Sequence, residues 1–115
     1  MSKAKQKGTL WESKVVSWLR EQGFPTVERK ALTGAHDQGD LTGIPGLMVE
    51  AKNVRAISLS QWSREMAAQV DNSGAELGLL CVKKVGTTDP GQAYWLIHPA
   101  HVPAVIRAML LEGQA

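Results

Sequence analysis

The chain is poor in cysteine. Cys81 is its one cysteine, so no internal disulfide can form, and a reducing cytoplasm is the expected setting. Cys81 stands in an apolar run, where packing is expected of it rather than chemistry. No stretch approaches the ~20 apolar residues that a membrane span needs. Met1 to Gly8 carries Lys3, Lys5 and Lys7 but lacks the apolar core of a secretory signal, and it reads as a flexible basic tail. Internal repeats and low-complexity tracts are absent as well. Neither sign of charge dominates. The net charge is +2 and the isoelectric point near 8.9. Such a mildly basic balance is compatible with nucleic acid without requiring it.

What is present suits one α/β domain over residues 9–115. The chain has 115 residues, of which 43% are hydrophobic, enough for a real core. Trp11, Val15, Trp18 and Leu19 recur at helical spacing and predict a helix over 9–22, stopped by Gly23. Residues 24–30 read as a short strand, 31–38 as a polar loop, and 39–52 as a hairpin. A second helix starts near Ser58, with Leu59, Trp62, Met66 and Val70 as its apolar stripe, and Asn72-Ser73-Gly74 ends it. The apolar run 77–85 reads as a central strand, 86–91 as a loop, and 92–97 as another strand. Pro103 suits the first turn of a last helix with Val102, Val105, Ile106, Met109 and Leu110 on one face. The order αβββαββα implies a central mixed sheet flanked by helices, with the 58–74 helix as a right-handed crossover.

The chain is organised around its hairpin. Side chains alternate along a strand, so Leu47, Val49 and Ala51 share one face, and Met48, Glu50 and Lys52 the other. Glu50 and Lys52 are then roughly 6–7 Å apart. A carboxylate and an ammonium at the end of an apolar strand are costly if buried unpaired. One reading is a salt-bridged surface hairpin. The other is a divalent metal and a phosphate, with Asp40 as a further ligand. The second reading needs Asp40 opposite Glu50, which centres the turn on Pro45. A shift of one residue would send Asp40 to the other face.

Other polar residues sit in unusual places. Glu12 lies inside the apolar arc of the first helix. Thr9 and Glu12 match a capping box, while the functional alternative has Glu12 facing the metal site. Gln69 lies within the second helix's apolar stripe, where it is either a satisfied buried amide or a partner for Lys52 or a phosphate. Arg29, Lys30, Thr33 and His36 are candidates for phosphate contact. His36 with Asp37 is a weaker metal pair. Arg55, Lys83 and Lys84 are either solvated or part of a DNA-facing rim. His98 and His101 read as surface residues at a helix entry, and the four tryptophans as core.

Together these residues resemble the PD-(D/E)XK nuclease superfamily. Asp40 followed by Glu50-Ala51-Lys52 matches its two-part signature. Glu12 on a first helix ending at Gly23-Phe24, a strand reaching Arg29, and Thr33-Gly34 in the loop are similar to the archaeal-type Holliday junction resolvases. So are Gln69 on the following helix and an apolar strand ending in Lys83-Lys84. The likeness spans residues 7–85. Gly39 stands where the family has proline, and Ala35-His36-Asp37-Gln38 is thin in basic residues for a resolvase loop.

The resemblance implies a restriction-endonuclease-like core and a DNA endonuclease dependent on Mg²⁺, or Mn²⁺ in its place. It implies that Asp40, Glu50 and the Ala51 carbonyl hold the metal, with Glu12 assisting, that Lys52 acts on the water, and that Gln69 supports Lys52. It also implies a homodimer cutting branched DNA, with no nucleotide cofactor. A restriction-like or repair endonuclease on duplex or flap DNA, and a catalytically silent DNA-binding module of the same fold, are the competing readings.

Overall fold

The computed structural model describes residues 3–30 and 40–111. Trp11, Val15, Val16 and Leu19 are buried and form the inner stripe of helix α1, Lys3–Glu21. The helix starts at Lys3, not at Thr9, so residues 3–8 of the expected tail are helical. Thr9 is therefore an interior helical residue. A capping box needs its Ser or Thr at the helix entrance, so that reading of Thr9 and Glu12 is corrected.

Strands β1 (Glu28–Arg29), β2 (Leu41–Thr42) and β3 (Leu47–Lys52) follow. Helix α2 (Leu59–Ser73) leads to β4 (Leu77–Val82) and β5 (Tyr94–Ile97), and α3 (Val102–Ile106) runs on into a wider π-type turn over Arg107–Leu111. The expected order of helices and strands is the one observed. The first strand is shorter than expected because residues 24–27 turn: Val27 N–H donates to the Phe24 carbonyl at 3.3 Å. The last strand starts late because Asp89 accepts from Gly91 N–H at 2.9 Å and holds Pro90–Gln92 in a 3₁₀ turn.

The five strands form one mixed sheet in the order β1-β2-β3-β4-β5. Only β3 and β4 run parallel. A parallel pair needs a long crossover, and α2 supplies it. Alternation along β3 then divides the core in two. Val49 joins Leu41, Cys81 and the α1 stripe on one face. Met48 joins Leu80, Val82 and the Trp62, Met66 and Val70 stripe of α2 on the other. The two helices thus cover opposite faces. Gly78 lets α2 lie close to the sheet, since a Cβ there would come within 2.6 Å of a Val70 methyl.

All four tryptophans pack as expected of core residues. Trp11 and Trp62 are buried, and Trp18 stacks against Trp95 with ring centroids 5.4 Å apart. The expected apolar face of α3 is different. Val102, Ile106, Met109 and Leu110 are exposed, because α1 and α2 already cover both sheet faces. Among the described residues, no helix is long and apolar enough to cross a membrane.

Candidate active site

The hairpin turn fixes the site. Gly43 has φ +109° and Gly46 φ +82°, a region that side chains rarely enter. A Cβ on Gly43 would also collide with the Thr26 carbonyl oxygen at 2.0 Å. In its place Thr26 Oγ1 donates to the Gly43 carbonyl at 2.7 Å, tying the turn to the segment before β1. Leu41 pairs with Val49, which centres the turn on Pro45. Asp40 immediately precedes β2 and is not itself paired in the ladder with Glu50, because its N–H turns to the Val49 carbonyl that Leu41 already faces.

Two hydrogen bonds hold Asp40 there. Its N–H donates to the Val49 carbonyl, and its carboxylate Oδ2 accepts from Ala51 N–H, both at 2.8 Å. They bracket Glu50 from either side. Lys30 extends the row, its N–H donating to the Asp40 carbonyl at 2.8 Å.

Glu50 is only 9% exposed. A buried carboxylate requires charged or hydrogen-bonding partners, and Glu50 has both. Gln69 Nε2 donates to its Oε2 at 3.0 Å, and the Lys52 ammonium lies 3.6 Å from its Oε1. The salt bridge of the surface-hairpin reading does form, but around a carboxylate inside the sheet–helix interface. Gln69, 3% exposed, comes from α2 as its place in the apolar stripe predicts. Its amide N–H serves Glu50, where Lys52 or a phosphate was the expected partner.

The Lys52 ammonium also lies 3.5 Å from Glu65 Oε2 and 5.9 Å from the Trp62 ring centre. Glu65 Oε1 in turn accepts from Gln61 Nε2 at 2.9 Å. The sequence reading missed Glu65 and Gln61. The available signal was the four-residue spacing of Gln61, Glu65 and Gln69, which lines one side of a helix.

Glu12 is placed otherwise. Helix α1 packs on the sheet face opposite Glu50 and Lys52, and Glu12 pairs with Arg29 at 3.6 Å. Arg29 stands opposite Leu41 on the same face. The expectation that both helices deliver polar groups to one face is therefore corrected: Glu50, Lys52 and Gln69 gather, with Asp40 bonded to the adjoining Ala51 N–H, and Glu12 is on the other face with Arg29.

Basic residues flank the gathering. Arg55 is exposed just beyond β3. Lys83 N–H donates to the Lys52 carbonyl at 2.9 Å, which sets Lys83 and the exposed Lys84 beside the end of β3. Thr33 and His36 lie outside the described residues. His98 accepts from Ala100 N–H through Nδ1 at 3.1 Å and serves as a cap for a 3₁₀ turn.

The donor chemistry suits a hard cation. Asp40 and Glu50 are carboxylates on neighbouring strand segments, Asp40 bonded to the Ala51 N–H next to Glu50, and the Ala51 carbonyl belongs to the same segment. Among the described residues, no three His, Cys, Asp or Glu side chains gather as a cage. Mg²⁺ needs none, since it commonly takes one or two carboxylates and keeps its waters. Comparisons of the chain with protein-family models, with curated proteins and with solved structures found no match.

Proposed function

We propose that this chain is a Mg²⁺-dependent DNA endonuclease with a restriction-endonuclease-like core, acting on four-way junctions as a homodimer. The observation that carries the reading is the Asp40 carboxylate, bound to the Ala51 N–H beside a buried Glu50 whose charge faces Lys52. Nothing in the packing of a small α/β domain requires those three charges at one strand end.

In this reading Asp40, Glu50 and the Ala51 carbonyl hold the cation. Mg²⁺, when bound, neutralises phosphate charge and lowers the pKa of a water. Gln69 keeps the Glu50 carboxylate oriented. Lys52 orients the attacking water and offsets the charge that develops on the phosphate. Arg29, Lys30, Arg55, Lys83 and Lys84, with Thr33 and His36, contact the phosphate backbone, which fixes register without reading bases. Glu12 holds Arg29 at the rim and reaches the cation only by leaving that pair.

A homodimer matches the twofold symmetry of a junction. The occupant proposed for the exposed apolar side of α3 is a second copy of the chain. The stretch 102–111 carries a single full charge, Arg107, so it offers little to a charged partner. A cytoplasmic location goes with the same reading.

The test is cleavage of labelled four-way junction, flap and plain duplex by the purified chain in Mg²⁺ and in Mn²⁺. Paired symmetric nicks in the junction are expected. Equal cutting of all three substrates would move the reading to a duplex nuclease. Tight binding with no cutting in either metal would leave a silent DNA-binding module.

A further inference from the structure

We infer that Glu65 is a positioning residue for Lys52, holding the ammonium in place when Glu50 is committed to a cation. The inference rests on the nuclease reading and adds to it a group from α2. Lys52 carries its charge on a flexible four-carbon stem, so its aim depends on what surrounds the ammonium. Two carboxylates do: Glu50 Oε1 at 3.6 Å and Glu65 Oε2 at 3.5 Å. Their duties differ. Glu50 in the proposed reaction is shared with a divalent cation, which repels the ammonium and weakens that contact. Glu65 belongs to another element and carries no such second duty.

Glu65 is also held rather than swinging. Gln61, one turn earlier on α2, donates to its other oxygen at 2.9 Å, and Ser58 Oγ donates to Gln61 Oε1 at 3.4 Å. The Trp62 ring, one residue along, lies 5.9 Å from the ammonium and adds its own attraction for a cation. Helix α2 is pressed onto the sheet at Gly78, so its distance from β3 is fixed. Ser58, Gln61 and Glu65 thus form a line of contacts leading to Lys52 from outside the sheet, while Gln69 and Glu50 approach from inside.

The side chain of Glu65 is 39% exposed, so replacing it leaves the core intact. The experiment compares junction cleavage by the full chain, by Glu65→Gln and by Glu65→Asp in Mg²⁺, with Glu21→Gln as an exposed substitution of the same charge change. Glu65→Gln is expected to lower kcat by about 10- to 100-fold, the scale of a misplaced reacting group, with KM and the thermal midpoint nearly unchanged. Glu65→Asp is expected to recover part of the loss, and Glu21→Gln to behave as the parent. A Glu65→Gln protein that cuts at the parent rate overturns this inference and leaves the nuclease reading standing. A loss seen in KM alone also overturns it, by making Glu65 a DNA-facing residue. A parent chain that cuts no substrate in either metal overturns the nuclease reading and the role of Glu65 with it.

Discussion

The Asp40 carboxylate accepts the Ala51 N–H at 2.8 Å, across the hairpin and one residue past Glu50. That bond uses one oxygen of Asp40 as an acceptor and fixes where the other group of the carboxylate stands. Asparagine preserves the acceptor and removes the charge. Asp40→Asn is therefore expected to fold with an unchanged thermal midpoint, to bind junction DNA about as well as the parent, and to lose at least about 100-fold in cleavage, as loss of charge stabilisation does elsewhere. Gel shift and single-turnover cleavage on one preparation check it. Full cleavage by this variant would remove Asp40 from the site.

Gln69 and Glu50 form a buried pair, and its stability cost is separable from catalysis. Gln69→Ala takes away the amide that donates to Glu50 Oε2 at 3.0 Å. A buried acceptor deprived of its donor costs about 1–3 kcal/mol. Urea unfolding should show that loss without metal, where cleavage plays no part. Unchanged stability would mean that the amide does not support Glu50.

The hairpin register was legible because two constraints agreed. A turn centred on Pro45 has glycines on both flanks, and alternation along β3 needs Leu47 and Val49 inside. Gln69 was legible for a similar reason, since a polar residue within an apolar stripe faces whatever the stripe faces. Glu12 obeys the same rule, yet the rule says only that a helix side is buried. It does not say which sheet face the helix covers, and α1 and α2 take opposite ones. Glu65 escaped because it borders the stripe of Trp62 and Met66, where charged residues are ordinarily solvated. The start of α1 escaped because Lys3 to Gly8 carries no apolar stripe to mark a helix. The face of α3 was read correctly as apolar, but periodicity does not reveal whether its cover lies within the same chain.

Cys81 supplies a pH dependence independent of the site. Burial against α1 pushes its thiol from 9.0 up to about 12. The unfolded chain ionises first, so between pH 9 and 12 the folded state holds the extra proton. The contribution to stability is full below pH 9 and is lost as pH rises through that window. Alkaline urea titrations should show the parent losing stability more steeply than Cys81→Ala. Below pH 9 the two slopes should coincide, and at pH 8 the folded thiol should resist alkylation until the protein unfolds. Rapid labelling of the native protein at pH 8 would contradict the buried, protonated thiol.

Ile106 on α3 is about half exposed, with Met109, Leu110 and Leu111 beside it. In a twofold contact each of these residues meets its own surface on the other copy, so one substitution acts twice. Ile106→Asp would bring two carboxylates together across the axis. It is expected to shift the protein from dimer to monomer in sedimentation velocity while leaving the fold intact, because Ile106 is not a core residue. If junction resolution needs two sites, the monomer should nick one strand and release the junction, replacing paired nicks by single ones. A variant that stays dimeric and makes paired nicks would place the contact between copies on another surface.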